Sequence, residues 1–280
     1  MRRGLVGCLL ITLCLLGAAQ AKTRKIVLIA GKKSHGPGEH EYVKSVRLLN
    51  VLLDRSPNLH GIKTEIYFDG WPQDASALDS ADSIVVISDG MEWHPLTASD
   101  ERVRAIQRQI DRGCGFMTLH FSTYVTERYS KQALEWNGGY FNYDGDPARR
   151  SDLKTLEADV VLPSLKHPIV RGVSPYRYKD EFYYKIDFLP GGNITPLVRV
   201  PALSSVPDQQ TVAWAFQRKN GGRSVGMTFG HYYDNWRLND YRTLILNAIV
   251  WTAHGKVPKG GIKSSFVEDG EVEKTLDQIP

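Results

Sequence analysis

The sequence has few cysteines and no compact metal-binding motif. Of its 3 cysteines, Cys8 and Cys14 lie in an N-terminal apolar run, and Cys114 by itself cannot form an intramolecular disulfide. Neither an HExxH nor a CxxC pattern occurs. The stability of the fold must therefore come from a buried core, and any metal site must be assembled from distant segments.

An excess of charge of one sign is also missing. The chain has 35 lysines and arginines against 31 aspartates and glutamates, and no stretch concentrates basic residues among aromatic ones. Binding of nucleic acid or of an anionic membrane requires such a concentration. We therefore predict a small-molecule substrate, no nucleic-acid partner and no stable membrane insertion, and no nucleotide cofactor is evident.

Residues 1–21 have the features of a secretion signal peptide. Arg2 and Arg3 precede an apolar run, Leu5–Leu16, and Ala19-Gln20-Ala21 forms a small-residue cleavage site. The apolar run is too short to span a bilayer. A lipidation box ending at Cys8 lies too near the start to leave an apolar segment before it. We expect export to the periplasm or the medium.

The rest of the chain predicts one α/β domain over residues 22–255, with a mostly parallel central sheet flanked by helices. Its first half alternates β-branched runs with amphipathic stretches, which is typical of parallel βαβ units. Predicted strands cover residues 25–30, 62–68, 83–87, 115–120, 158–162, 193–200, 211–217 and 224–228, and predicted helices begin near Glu39, Thr97 and Asp240. The polar residues 256–280 predict an extended or mobile tail.

Histidines cluster at the predicted strand ends, beyond which ligands bind in an open parallel sheet. Those at or just past a strand end are His35, His40, His94, His120 and His231, whereas His60, His167 and His254 are interpreted as structural. Imidazole titrates near neutrality and is the commonest nitrogen ligand of transition metals. We therefore propose His35, His120 and His231 as candidate ligands of zinc or a similar divalent ion.

Other polar and aromatic residues in the same loops are candidates for substrate binding. Together with His40 and His94 they are Asp89, Trp93, Gly138, Gly139, Tyr140, Asp180, Tyr183, Asp234 and Trp236. Aromatic rings beside carboxylates suit a sugar. The two glycines allow close approach of the backbone to a ligand. Core packing and a tight turn are the alternative interpretations of the rings and the glycines.

The order of short motifs resembles the ThuA-like, or trehalose-utilisation, proteins. These motifs are SHGPGEHEY, SDG, WHP, GFMTLH, WNGGYF, HPIVRG, DEFY, GH and LNAIVWTAHG, from about residue 25 to 255. The resemblance implies a class I glutamine amidotransferase-like (flavodoxin-like) fold. In amidotransferases of this fold the catalytic cysteine follows the strand that ends here in His120, and Cys114 lies at the beginning of that strand. The resemblance thus implies that the thiol mechanism is absent.

The resemblance also implies a role in the catabolism of disaccharides oxidised at C3, alongside a sugar 3-dehydrogenase. A C3 ketone acidifies the C2 hydrogen, so that a base could remove it and the C1 substituent could leave, with water adding afterwards. This chemistry needs a base and an electrophile. His120 or Glu181 could be the base, and His35 and His231, with or without a metal, could form the electrophile.

Two other functions fit the same sequence features. One is a non-catalytic glycan-binding protein that kept the amidotransferase-like scaffold. The other is a metal-dependent hydrolase of unoxidised glycosides or esters. Asp180 and Glu181 are adjacent, so they would face opposite sides of a strand and would not form the paired carboxylates of a glycosidase. Convergence of the strand-end histidines with a carboxylate would favour catalysis over binding.

Overall fold

The computed structural model describes residues 22–276, so the predicted signal peptide and the last four residues lie outside the described part. The helices are α1 (Tyr42–Asp54), α2 (Asp100–Asp111), α3 (Ser130–Asn137), α4 (Asn239–Thr252) and α5 (Asp269–Leu276). The strands are β1 (Arg24–Ala30), β2 (Ile62–Tyr67), β3 (Ser83–Ile87), β4 (Gly115–Leu119), β5 (Gly139–Tyr140), β6 (Asp152–Asp159), β7 (Arg177–Tyr184), β8 (Asp187–Phe188), β9 (Ile194–Arg199), β10 (Thr211–Gln217) and β11 (Arg223–Met227).

Seven of these strands form the central sheet, in the order β2-β1-β3-β4-β11-β10-β9. The first five in this order run parallel, and β10 is antiparallel to both of its neighbours. The predicted α/β fold with a mostly parallel sheet flanked by helices is confirmed. Because β1, β3, β4 and β11 are successive neighbours, the loops at their carboxyl ends lie side by side on one edge.

Both faces of the sheet are buried, and the side chains of each strand alternate between two cores. In β1, Ile26 and Leu28 pack in the core that contains α1 and α4, whereas Val27 and Ile29 pack in the core that contains α2. This explains why the strands read as continuous apolar runs. The central strands form a rigid base for the loops at the carboxyl edge.

Three local predictions differ from the structure. Helix α1 begins at Tyr42 rather than near Glu39, because residues 31–41 form a loop in which Glu39 makes a β-bridge with Tyr232. Helix α2 is capped by Ser99, whose Oγ accepts a hydrogen bond from the backbone of Arg102 at 3.3 Å, and not by Thr97. Of the strand predicted at 158–162, only residues 158–159 lie in a strand, at the end of β6, and Val161 makes an isolated β-bridge with Arg199.

Strands β6 and β7 pair antiparallel in a separate two-stranded sheet, from Asp152 opposite Tyr184 to Asp159 opposite Arg177. The predicted strands did not include β7, because its charged and aromatic residues form no continuous apolar run. Strand β7 nevertheless contributes Glu181 and Tyr183 to the carboxyl edge of the central sheet.

The described part of the tail contains a helix in addition to extended chain. Helix α5 packs on α1, with Val272 buried. Arg47 pairs with Glu273 and Arg55 pairs with Glu271, each at 2.6 Å. Residues 256–280 were predicted to be extended or mobile because they are predominantly polar. Their few apolar residues are widely spaced and do not indicate a helix.

Candidate active site

Three imidazole rings converge at the carboxyl edge of the sheet. His40 Nε2 lies 3.0 Å from His120 Nε2 and 3.1 Å from His231 Nδ1, and the last two nitrogens are 3.3 Å apart. The rings follow β1, β4 and β11, respectively. His40 thus takes the place that the sequence analysis proposed for His35, whose exposed ring is tilted by 41° against that of His40, with 3.6 Å between centroids.

Two of the three histidines have left-handed backbone conformations. The φ angle is 45° at His40 and 55° at His120, values that residues with a Cβ seldom adopt and that cluster at functional sites. His120 opens a 3-10 turn directly after β4, and its carbonyl accepts a hydrogen bond from the Thr123 hydroxyl at 2.7 Å. The apolar run of β4 therefore ends in a histidine that the sharp turn places at the edge of the sheet.

The protein environment fixes the tautomer of His120. Its Nδ1 lies 3.0 Å from the carbonyl oxygen of Thr228, which can only accept a hydrogen bond. The proton therefore sits on Nδ1, and Nε2 presents a lone pair to the other two rings. Tyr183 stacks on the ring at 4.9 Å between centroids, with its hydroxyl 3.3 Å from Nε2.

Asp89 fixes the tautomer of His40. His40 Nδ1 lies 2.6 Å from the hydroxyl of Tyr42 and 3.3 Å from Asp89 Oδ1, and Asp89 also accepts hydrogen bonds from Ser34 Oγ and Tyr42, both at 2.6 Å. Burial by itself would raise the pKa of Asp89, but the hydrogen bonds from His40, Ser34 and Tyr42 outweigh it and hold that pKa below its usual value. The ionised carboxylate keeps the His40 proton on Nδ1.

Ser34 and Tyr42 were not predicted as site residues. Both lie in or beside the motif that contains His40, and this proximity was the only signal in the sequence. Hydroxyl groups next to a strand-end histidine are too common to be singled out without knowing which side chains face Asp89.

Asp180 holds the backbone of the loop that carries His231. Its buried carboxylate accepts hydrogen bonds from the backbone N–H of His231 and Gly230, both at 3.0 Å, from that of Glu181 at 2.8 Å, and from the Asn235 side chain at 3.0 Å. Burial raises the pKa of Asp180 to about 7, against the opposing effect of these donors. The structure places Asp180 beneath the site, as an anchor of two backbone segments.

Glu181 points to the histidine cluster from β7. Its Oε2 lies 3.7 Å from both His120 Nε2 and His231 Nδ1, and its side chain is 21% exposed. On the solvent side of the His231 ring, Nε2 lies 3.6 Å from Glu39 Oε1. The site therefore has an accessible carboxylate beside three imidazoles.

Burial favours the neutral form of all three rings. Burial lowers the pKa of His40 and of His231, and it lowers that of His120 well below the usual value for histidine. Neutral imidazole is the form that accepts a proton or binds a metal.

Several predicted site residues do not join the cluster. His94 is buried, with Nε2 3.0 Å from the carbonyl oxygen of Ser122 and Nδ1 accepting the backbone N–H of Leu96 at 3.2 Å. Trp236 is buried and donates through Nε1 to Ser45 Oγ at 3.1 Å. The main-chain partners of His94 and the buried position of Trp236 indicate structural roles.

The glycines of WNGGYF are packing residues. Gly138 ends α3 with φ 76°, and a Cβ there would lie 2.5 Å from the Phe216 ring. At Gly139 a Cβ would lie 2.6 Å from the Phe188 ring. Tyr140 is buried beside them, with its hydroxyl 3.4 Å from Glu127 Oε2. The segment forms a tight turn against core aromatics, the alternative interpretation of its sequence.

Two residues predicted to bind substrate, Trp93 and Asp234, lie at the rim of the site. Trp93, in the loop after β3, is 62% exposed. Asp234 lines a cleft of ≈ 350 Å³ with Glu39 and Tyr232, next to His231. A larger cleft of ≈ 910 Å³ lies at the opposite edge around Lys22. We place the candidate site where imidazoles and a carboxylate converge, because the volume of a cleft does not by itself show which reaction its residues can perform.

Cys114 lies at the opposite end of β4 from His120. It is buried, and burial raises the pKa of its thiol to about 11. The five residues of β4 separate it from the turn by roughly 16 Å. The thiol therefore does not reach the histidine cluster.

Among residues 22–276, no helix has the length and apolar character needed to cross a membrane.

The fold and the site define an α/β protein with a polar centre built from loops at the carboxyl edge of its sheet. The ThuA family, described as trehalose utilisation, has a model that matches residues 27–252, so the chain belongs to this family. The resemblance seen in the order of its motifs is confirmed. A search of the curated proteins gave no match.

Solved structures with similar folds include two ThuA-like proteins. The one from Parabacteroides merdae is 17% identical, with a TM-score of 0.60 over 89% of this chain and 99% of that one. The one from Bacteroides uniformis is 14% identical, with a TM-score of 0.59 over 84% of this chain and 94% of that one. The glutaminase domain of Trypanosoma brucei CTPS also matches, at 10% identity and a TM-score of 0.46, over 86% of this chain and 100% of that domain.

Proposed function

We propose that the protein is an exported carbohydrate-active enzyme that cleaves a 3-keto-glycoside by elimination followed by hydration. The observation that carries the proposal is the meeting of three neutral imidazoles with the Glu181 carboxylate, 3.7 Å from two of them. Membership of the trehalose-utilisation family supports a carbohydrate as the substrate. Export is predicted from residues 1–21, and the oxidised substrate requires a sugar 3-dehydrogenase.

Glu181 is the base that fits the reaction best. It is partly exposed, whereas His120 is completely buried, so the carboxylate can reach a sugar carbon and His120 cannot. Glu181 takes the C2 proton, the C2–H electrons form the C1–C2 double bond, and the C1–O bond breaks as the Glu181 carboxyl group gives that proton to the leaving oxygen, which releases the aglycone as an alcohol. Water then adds to C1 while a proton returns to C2, which completes the net cleavage.

Stabilisation of the negative charge that develops on the C3 oxygen requires a donor or a cation at the histidine cluster, because the ring protons of His40 and His120 point away from its centre. Burial keeps this part of the site dry, and electrostatic stabilisation is stronger in such surroundings. A divalent metal ion such as zinc, when bound to the imidazoles, would polarise the C3 carbonyl as a Lewis acid.

The test is turnover of a 3-keto-glycoside by the wild type and by His120→Ala, His231→Ala and Glu181→Gln. Loss of a general base costs on the order of a hundredfold or more in rate. His60→Ala, at an exposed histidine away from the cluster, is the matched control. The unoxidised glycoside, offered in parallel, tests the requirement for the ketone. Unchanged rates in all three site variants would refute the proposal, and equal cleavage of both substrates would favour a hydrolase of unoxidised glycosides.

A glycan-binding protein without catalytic activity is the second candidate. The observation that favours it is the exposure of Trp93 at 62% and of Tyr143 at 43%, since exposed rings can stack on sugars. Binding of both glycosides without cleavage of either would support this candidate.

A further inference from the structure

The three facing nitrogens of the histidine cluster have too few protons among them. Neutral imidazole carries one N–H, and in His40 and His120 that proton is directed outwards, to Asp89 and to the Thr228 carbonyl. The outward nitrogen of His231 lies 3.6 Å from Glu39 Oε1, which is longer than a hydrogen bond. His40 and His120 therefore present lone pairs to each other, with their Nε2 atoms 3.0 Å apart.

A single hydroxyl group cannot satisfy these lone pairs. Tyr183 lies 3.3 Å from His120 Nε2 and can donate one hydrogen bond. His40 Nε2 then still lacks a donor unless the His231 ring carries its proton on Nδ1, which lies 3.1 Å away. Buried polar atoms without a partner are costly, and protonation of a ring is opposed by the same burial. A cation bound between the nitrogens removes the conflict.

We infer that His40, His120 and His231 bind one divalent metal ion of the zinc type, through His40 Nε2, His120 Nε2 and His231 Nδ1. Zinc–nitrogen bonds of about 2.0–2.1 Å in tetrahedral geometry separate two nitrogens by about 3.3 Å. The three separations here are 3.0, 3.1 and 3.3 Å. The cluster therefore has the dimensions of a three-histidine site before any rearrangement.

The surroundings supply the outer contacts that such a site needs. Histidines that bind metals usually donate their second ring proton to a carboxylate or a carbonyl, which orients the ring. Asp89, the Thr228 carbonyl and Glu39 stand in these positions for His40, His120 and His231, respectively. Glu181 borders the fourth position, which leaves that position to the substrate.

His35 and Asp89 do not form a second metal site in this assignment. Asp89 already accepts hydrogen bonds from Ser34, Tyr42 and His40. His35 Nδ1 is 2.8 Å from Ser34 Oγ, and its ring covers that of His40. We therefore expect one ion per chain, with His35 shielding it from solvent.

The test is a titration of the full chain with Co²⁺ and Zn²⁺ after dialysis against a chelator. We expect one equivalent to bind, with the visible absorption of tetrahedral Co²⁺ and its loss on addition of Zn²⁺. His40→Ala should weaken binding by at least about a hundredfold, and Asp89→Asn by about 10–100-fold. His60→Ala, which removes an exposed imidazole, should bind as the wild type does.

Two results would overturn the metal site: no stoichiometric binding by the wild type, or binding by His40→Ala with wild-type affinity. Circular dichroism of each variant shows whether it is folded. If His40→Ala does not fold, the more accessible His231→Ala replaces it with the same expectation. The metal site lies at the site of the proposed function, and it rests on that function only for the role of the ion in the reaction. Metal binding without sugar cleavage would refute the proposed reaction and leave the metal site in place, and full turnover by metal-free protein would refute the role of the ion in that reaction.

Discussion

Asp180 accepts a hydrogen bond from the backbone N–H of His231 at 3.0 Å, and its other contacts include the N–H of Glu181 at 2.8 Å. One buried carboxylate thus fixes the positions of a cluster imidazole and of the proposed base, which come from β11 and β7. The sequence placed Asp180 next to Glu181 in the chain but gave no sign that it contacts His231, 51 residues away.

We predict that Asp180→Asn lowers turnover through misplacement of His231 and Glu181. An amide NH₂ group would face backbone donors, and a buried unsatisfied group costs about 1–3 kcal/mol of unfolding free energy. Urea unfolding and kcat measure the two effects, and kcat should fall more than KM changes. The control is Asp54→Asn, because Asp54 is an exposed aspartate at the end of α1, away from the site. Equal kinetics of the two variants would contradict the positioning role.

Cys114 should be inert in the native protein. Its thiol is buried, and its pKa is raised to about 11 by that burial, so little thiolate exists at pH 8. Incubation of the native chain, purified without residues 1–21, with iodoacetamide at pH 8 should leave Cys114 unmodified by mass spectrometry and should leave turnover unchanged. Rapid alkylation of the native protein with loss of activity would contradict this assignment.

The buried ring of His94 should make stability depend on pH. Burial lowers its pKa to about 4 in the folded state, against a usual value of 6.5. The unfolded chain therefore binds the proton first, and stability falls as the pH decreases from 6.5 to 4. The ring contributes about 3 kcal/mol of this loss.

His94→Gln tests this contribution, because the amide can keep hydrogen bonds to Ser122 and Leu96. The free energy of unfolding from urea titrations should fall less steeply between pH 6.5 and pH 4 in the variant than in the wild type. The same slope in both proteins would show that His94 does not cause it.

Trp93→Ala should weaken substrate binding without slowing the chemical step. The ring is 62% exposed in the loop after β3, where it can stack on a sugar, and stacking of this kind contributes about 0.5–1.5 kcal/mol. KM should rise about 2–13-fold at unchanged kcat. Replacement of the exposed Leu165, which is 72% exposed, serves as the control for loss of surface apolar area. An unchanged KM would exclude Trp93 from the substrate site.

The sequence predicted the central sheet well because buried parallel strands are short apolar runs with a clear signal. The strand-end rule likewise selected His120 and His231, since the ends of neighbouring parallel strands must meet at one edge. It selected His35 rather than His40 as the third candidate ligand, although the two lie five residues apart in one loop. The left-handed backbone of His40, which turns its ring into the cluster, has no signature in the sequence.

One physical reason explains why several predicted site residues lie outside the cluster. His94 lies in a strand-end loop and has the same chemistry as the cluster histidines, but its hydrogen bonds to main-chain atoms hold it in the interior. Gly138 and Gly139 were ambiguous between a ligand contact and a tight turn, and neighbouring rings from distant strands decided the outcome. Contacts between segments far apart in the chain determine such roles, and a single sequence does not contain them.

The account depends most on removal of a C2 proton from an oxidised sugar beside the histidine cluster, and cleavage of a 3-keto-glycoside in D₂O tests this step directly. Elimination and hydration place a solvent deuteron at C2, so the released sugar should gain one deuterium there, as seen by NMR and mass spectrometry. Glu181→Gln should lose both cleavage and deuterium incorporation. Cleavage by the wild type that leaves the C2 hydrogen in place would contradict the account.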